Sequence, residues 1–468
     1  MPLDLVIIGS GPGGYRAAVL AALQGLQTAI VEKDVWGGCC LNRGCVPKKA
    51  WHDSARLLAR QRHLAERGVL GALRPDLGRA WQHQRRVVER VRESYLDYLA
   101  HLKVARHAGH GRLDGPGRVV VGSKQGETVL ETRHVILATG AVPALPAGLE
   151  AVPGRILTTD DLFQAPPPPG RRVALVGGGV IGTEFAFILR QLGLDLLWIA
   201  GGAPLRASDF SPSARQTLAR ALRESGAPDP LPARLAGARV GDDGVRLSLD
   251  DGSEHTVDWL LLGTGRRPVS EGLGLETAGI APGADGFIPV DEHLRTGAPG
   301  VFAIGDCVGP AMTANQALAD AAVAVHNIRH PDRPRTRPLR EVPLAVYSAV
   351  ELARLGLTEE QAEDEGFEPA VGFAAFATDP KALGEDDAEG YLRLLADMDE
   401  GTLLGAEAVG HGAGELIHLV STRPDPESVL RELAHGRYNH PTRSEQWQNA
   451  AETLAAKWGL AGWLWDGE

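Results

Sequence analysis

Cysteine is scarce: the chain has four in 468 residues. That is too few for the disulfide framework of a secreted protein, so a reducing cytoplasm is the expected compartment. Long apolar runs are missing as well. No stretch reaches the roughly 18 continuous apolar residues of a membrane helix. The apolar start LDLVIIGS breaks at Gly9 with no basic segment before it, so no export signal is read. Excess positive charge is also absent. With 48 Lys and Arg against 59 Asp and Glu, the net charge of −11 excludes nucleic acid and anionic membrane as natural partners. Apolar residues at 44% and charged residues at 23% are ordinary for a folded soluble protein. A length of 468 residues predicts two or three domains.

Glycine, by contrast, is abundant at 58 residues, and two groups of it are patterned. LVIIGSGPGGYRAAVLAALQGLQTAIVEK reads as strand, glycine turn, Ala/Leu-rich helix and a second strand ending at Glu32. Gly9, Gly11 and Gly14 have the spacing that lets a backbone approach a pyrophosphate at the positive end of a helix. Glu32 stands where a ribose-binding acid belongs. The pattern recurs at RRVALVGGGVIGTEFAFILRQLGLDLLWIAGG with Gly177, Gly179 and Gly182. Two such units imply two dinucleotide cofactors. In the second unit the position of Glu32 is taken by Ala200, so nothing repels a 2′-phosphate, and Arg206 is the candidate to pair with one. NAD and NADP both remain open.

Proline marks the joints. APPPPGRR at 165–172 cannot continue a helix or a central strand and leads into the second nucleotide unit. HPDRPRTRPLREVP at 330–343 precedes a new pattern of strands and helices. Three regions result: a first nucleotide domain lying on both sides of an inserted second one, then a C-terminal domain. Residues 51–110 read as largely helical, and the arginines between Arg56 and Arg92 form a solvated face, with docking of an acidic carrier as the alternative.

Three of the four cysteines fall in GGCCLNRGCVPKK. Cys40 and Cys45 are five positions apart, which in a straight helix separates their Cα atoms by roughly 8.6 Å, beyond disulfide reach. If they pair, the chain must turn between them, and Asn42 and Gly44 permit a loop before a helix begins near Cys45. Zinc is the competing use of clustered cysteines, but no second Cys or His pair at finger-like spacing accompanies them, and no metal is expected.

GGCCLNRGCVPKK resembles the active-site signature of the flavoprotein disulfide reductases, the class I pyridine nucleotide-disulfide oxidoreductases. The likeness continues through both glycine motifs, the ATG ending at Gly140, TGRRP at 264–268, VFAIGDCV at 301–308 and NHPTRSEQ at 439–446, and is greatest toward the dihydrolipoamide dehydrogenase branch. It implies an α/β chain of two Rossmann-like dinucleotide-binding domains plus a C-terminal α+β dimerisation domain. The FAD domain spans 1–148 and 269–340, the NAD(P) domain 149–268 and the interface domain 341–468. It also implies a Cys40–Cys45 redox disulfide, with Cys45 nearer the flavin and Cys40 nearer the substrate, and a His440–Glu445 acid–base pair completing the site of the other subunit of a homodimer. Lys49, paired with Glu184, stands beside the flavin. Lys33, Gly140, Asp306 and Ala314 join Gly9, Gly11, Gly14 and Glu32 at the FAD site, and Gly265 and Arg206 join the second glycine turn at the NAD(P) site.

The implied activity is oxidation of a dihydrolipoyl group on a carrier protein. The alternative is an NADPH-dependent reductase of a low-molecular-weight disulfide, resembling glutathione reductase. VPKK and Arg206 resemble that second branch, whereas QALADAAVAV after Asn315 lacks its arginine. Cys39 replaces the usual threonine and is expected to be a small buried filler. Trp458, Trp463 and Trp465 are expected to pack within the chain.

Overall fold

In a computed structural model, which describes residues 2–397, 401–422 and 426–458, β1 (Leu3–Ile8) leads through Gly9–Gly11 into α1 (Pro12–Leu23) and back into β2 (Thr28–Glu32). Pro12 sits at the first turn, where its missing N–H costs nothing. β1 and β2 pair in parallel, Leu5 opposite Thr28 through Ile8 opposite Val31. Both faces of this sheet are covered, so the strands are apolar runs without alternation. Ala17, Ala18 and Ala21 are fully buried, and their small side chains let α1 pack closely on the helix Ala314–Arg329.

The first sheet has seven strands. From one edge they are 105–108, β2, β1, 126–137, 118–123 and 110–113, and 301–303 also pairs with 126–137. The last of these comes from beyond the second nucleotide unit, so the chain leaves this sheet and returns to it. The second unit is a four-stranded parallel sheet, ordered 195–199, 172–176, 259–262 and 156–158, with an antiparallel three-stranded sheet at 235–257. Strands 141–143 and 266–268 pair antiparallel where the chain crosses between the units.

The C-terminal region is a five-stranded antiparallel sheet, ordered 344–347, 351–356, 403–409, 391–397 and 369–375. The helix Gln446–Trp458 lies on it so closely that a Cβ at Gly372 would stand 2.2 Å from the Ala450 carbonyl oxygen. Fully buried Trp447, Leu430, Leu433 and Leu454 fill that layer. The expected α/β architecture with a C-terminal α+β region is therefore present. No helix among the described residues is long and apolar enough to cross a membrane. Trp463 and Trp465 lie outside the described residues, as does the side chain of Trp458.

Candidate active site

A cavity of about 1360 Å³ runs between the two nucleotide units, and both glycine turns line it. At the first turn Gly9 has φ +107°, and a Cβ there would meet the Ala138 carbonyl oxygen at 2.3 Å. A Cβ at Gly14 would lie 1.9 Å from the Gly9 oxygen, whereas one at Gly11 would have nothing within 4 Å. Gly9 and Gly14 close the turn, and Gly11 leaves its outer face open to a ligand. Glu32 is buried at the end of β2. Its carboxylate accepts from Ser10 N at 2.9 Å, Ser10 Oγ at 2.6 Å and Asp34 N at 2.9 Å.

Lys33, Gly140, Asp306 and Ala314 also line the cavity. Among the described residues the Asp306 carboxylate has no hydrogen-bond partner. Burial pushes its pKa up, against the pull of Arg266 and with the help of Asp320. A half-buried acid with no hydrogen-bond partner among the described residues, facing a cavity, fits a polyhydroxyl ligand that would donate to it. Thr313 caps the helix Ala314–Arg329 by accepting from Gln316 N at 3.2 Å, and its N-terminus opens onto the same cavity.

Cys40 and Cys45 form a disulfide with Cα atoms 4.7 Å apart. The chain reaches this distance differently from the loop expected. Cys39 and Cys40 lie on a short helix, α2 (Gly38–Arg43), the backbone breaks at Gly44, and α3 (Cys45–Ala59) starts at Cys45. The Asn42 amide donates to the carbonyls of Trp36 and Gly38 at 3.0 and 2.8 Å, which ties α2 to the turn before it. Cys39 is half-buried rather than a packed filler. Arg266 Nη2 donates to its sulfur at 3.3 Å, and the thiol faces Asp160 Oδ1 at 3.6 Å. Burial, opposed by Arg266 and reinforced by Asp160, pushes its pKa up to about 11, so Cys39 stays a thiol at neutral pH.

Glu184 is fully buried on the helix Val180–Gln191, and two lysines of α3 reach it. Lys49 is at 3.5 Å from Oε1, but Lys48, which the sequence did not single out, is in direct contact with Oε2. The Tyr347 N–H, from the C-terminal region, completes the shell at 2.8 Å. Burial alone would raise the pKa of Glu184. Lys48 and Lys49 outweigh it and hold the carboxylate below its usual range. Lys49 Nζ stands 3.3 Å from the centre of the Tyr347 ring. Burial lowers its pKa to about 8, Glu184 opposing and Lys48 assisting.

The second glycine turn repeats the first. Gly177 has φ +127° and would place a Cβ 2.3 Å from the Gly263 oxygen, a Cβ at Gly182 would lie 1.9 Å from the Gly177 oxygen, and Gly179 is open. Gly265 lines the cavity beside it. Ala200 directly follows the strand Asp195–Ile199 and is buried. Arg206 packs on Gly202, with its Nε 3.3 Å from where a Cβ would be. Arg234, not picked out in the sequence, brings its Nε within 3.9 Å of the same point on Gly201. Two guanidinium groups thus flank a loop that carries no acid at the end of the strand.

His440 Nδ1 and Glu445 Oε1 are 2.8 Å apart, and the other Glu445 oxygen accepts from Thr442 N at 2.6 Å. The hydrogen bond from His440 is the main reason the Glu445 carboxyl lies below its ordinary range. The His440 side chain is 71% exposed, and neither residue lines the cavity of its own chain. A single chain therefore assembles the disulfide, the lysine–glutamate cluster and both glycine turns, and presents the histidine outward.

Residues 3–324 match the family model described as pyridine nucleotide-disulphide oxidoreductase, and residues 342–451 match the dimerisation domain of the same family. Dihydrolipoyl dehydrogenase of Haloferax volcanii is 32% identical over 461 residues, covering 96% of this chain and 95% of that protein. Its counterpart in Chlorobaculum tepidum is 34% identical over 456 residues, covering 96% of each. Among solved structures, LpdA of Mycobacterium tuberculosis superposes with a TM-score of 0.89 at 25% identity over 97% of this chain and all of that one. The HOCl-induced flavoprotein disulfide reductase RclA of Escherichia coli gives a TM-score of 0.83 at 25% identity over 96% of this chain. With a redox disulfide between two glycine cradles, and FAD and a nicotinamide nucleotide as the family's cofactors, the chain belongs to the pyridine nucleotide-disulphide oxidoreductases.

Proposed function

We propose that this enzyme is a dihydrolipoyl dehydrogenase, oxidising a dihydrolipoyl group carried on a protein and reducing NAD or NADP. The observation that carries this reading is the Cys40–Cys45 disulfide, set on the wall of a cavity shared by both glycine turns. FAD bound there supplies a two-electron relay between the cysteine pair and the nicotinamide. Cys40 takes the substrate sulfur and Cys45 is the sulfur on the flavin side, three residues before Lys48. The dithiol of the substrate becomes a disulfide while Cys40–Cys45 becomes a dithiol, so two electrons and two protons pass from substrate to enzyme. His440, oriented by Glu445, accepts a proton at the disulfide of the other subunit of the homodimer. Its exposure in the single chain supports that shared arrangement.

Gly9, Gly11, Gly14, Glu32, Lys33, Gly140, Asp306 and Ala314 hold FAD in this reading. Gly177, Gly179, Gly182, Gly265 and Arg206 hold the nicotinamide nucleotide. Glu184 offsets the cost of burial for the Lys49 charge beside the flavin. The FAD domain is 1–148 with 269–340, the NAD(P) domain 149–268 and the interface domain 341–468. A cytoplasmic enzyme fits the free thiols of Cys39 and Cys307.

A second reading, reduction of a small disulfide by NADPH, is favoured by the two arginines beside Gly201 and Gly202. Turnover of dihydrolipoamide with NAD or NADP, set against NADPH oxidation by oxidised glutathione, separates the two. Turnover only with glutathione would overturn the first reading.

A further inference from the structure

Arg443 occupies a position between His440 and Glu445 where nothing in the proposed chemistry calls for a charge. It is nonetheless among the most enclosed arginines of the molecule, 8% exposed. Its Nη1 contacts Glu385 Oε2, its Nη2 donates to the Asp387 carbonyl at 2.8 Å, and its guanidinium lies 5.7 Å from the centre of the Phe376 ring. Residues 385–387 follow the short helix Pro380–Gly384. That helix is tied a second time to the acid–base loop, because Gln446 Nε2 donates to Asp379 Oδ2 at 2.9 Å.

Glu385 and Asp387 are also held by a second arginine. Arg60, the C-terminal cap of α3, donates from Nη2 to the Glu385 carbonyl at 2.8 Å and faces Asp387 Oδ2 at 4.0 Å. Helix α3 begins at Cys45. Polar contacts therefore run from the disulfide helix through Arg60, Glu385 and Asp387 to Arg443, whose chain neighbour Thr442 donates to Glu445, the partner of His440.

We propose that Arg443 is a positioning residue, which fixes the His440–Glu445 pair relative to the disulfide helix by clamping the acid–base loop to Glu385 and Asp387. The inference rests on the acid–base reading of His440. In a two-fold dimer, the distance from His440 to its own disulfide helix also sets where it stands at the disulfide of the other subunit. A clamp within one chain thus aligns a site between two. Buried ion pairs contribute little net stability, so their worth here lies in fixing a geometry.

The test uses the FAD-loaded dimer. Arg443→Met is expected to lower kcat for dihydrolipoamide oxidation about 10- to 100-fold, the size of effect for a misplacement near 1 Å. Reduction of ferricyanide by the reduced nicotinamide nucleotide draws electrons from the flavin without the histidine. It should stay within about twofold, as should the KM for the nucleotide, because both bypass the displaced group. Arg443→Lys should recover part of the loss. A dimeric Arg443→Met with unchanged kcat overturns the proposal, and so does a parallel fall in ferricyanide reduction. If Arg443→Met does not fold, Arg60→Met loosens the clamp from its other end and is judged by the same two criteria. His440→Ala separates the layers: if it retains full turnover, the acid–base reading fails and takes this inference with it. If it is inactive while the arginine variants are normal, only the clamp fails.

Discussion

Removing Lys48 should damage the protein more than removing Lys49, although the resembling motif points to Lys49. Glu184 is 1% exposed, and among the described residues its Oε2 pairs only with Lys48, whose side chain is 15% exposed. Its Oε1 keeps the Tyr347 N–H at 2.8 Å and Lys49 at 3.5 Å. Lys48→Met leaves a buried carboxylate oxygen without a partner. Breaking a buried pair costs about 3–5 kcal/mol, and the donors left on Oε1 put this case near ~3 kcal/mol. Lys49→Met loses a longer ion pair on a side chain that is 36% exposed, and a cation–π contact, together about 1 kcal/mol. At about 2–4 °C per kcal/mol for a domain of this size, the first thermal transition should fall by about 6–12 °C for Lys48→Met and about 2–4 °C for Lys49→Met. Lys48→Met combined with Glu184→Met removes the stranded charge and should regain part of the loss. Differential scanning calorimetry of the FAD-loaded variants measures all three. Equal or larger destabilisation by Lys49→Met would refute the assignment of Lys48 as the principal partner.

Cys45→Ser should abolish the long-wavelength thiolate–flavin absorbance seen on two-electron reduction, and Cys40→Ser should retain it. A band surviving in Cys45→Ser reverses the two sulfurs. Gly179→Ala should fold normally, since its Cβ meets nothing within 4 Å, yet raise the KM for the nicotinamide nucleotide about tenfold by blocking the pyrophosphate; Gly182→Ala, with 1.9 Å to the Gly177 oxygen, should destabilise the unit itself. Ala200→Glu should raise the KM for NADP far more than that for NAD, read from initial rates with both nucleotides; an unchanged ratio would show that another element chooses. Mixing Cys45→Ser chains with His440→Ala chains under subunit exchange should restore activity through one intact site per heterodimer, and confirmed exchange without recovery would refute the shared site.

The glycine turns were readable because their spacing is local, and the backbone clashes at Gly9, Gly14, Gly177 and Gly182 leave no alternative residue. The cysteine pair was readable only through the resemblance that GGCCLNRGCVPKK carries, and its helix–break–helix geometry was not readable at all. Asn42 and Gly44 fit a loop as well as a break, and the choice rests on hydrogen bonds back to Trp36 and Gly38. Adjacent lysines at 48 and 49 differ by 100° around α3, and which one meets Glu184 depends on how that helix packs 135 residues away in sequence. Tyr347, Arg266 and Arg234 reach their places through tertiary contacts alone. Arg266 lay inside a recognised motif, yet nothing in that motif tells that it would seize the sulfur of Cys39.

Gly38, at the head of α2, touches the first glycine turn: a Cβ there would lie 2.6 Å from the Gly11 Cα. The redox segment and the turn proposed to cradle the FAD pyrophosphate are therefore in direct contact, and disorder in one should be transmitted to the other. A sample that sheds its flavin in storage should loosen α2 and uncover the Cys39 sulfur, which burial, reinforced by Asp160, otherwise keeps as an unreactive thiol. Titration with a thiol reagent then becomes a gauge of ageing, with one newly reactive sulfur for each cofactor lost, readable before any activity is measured.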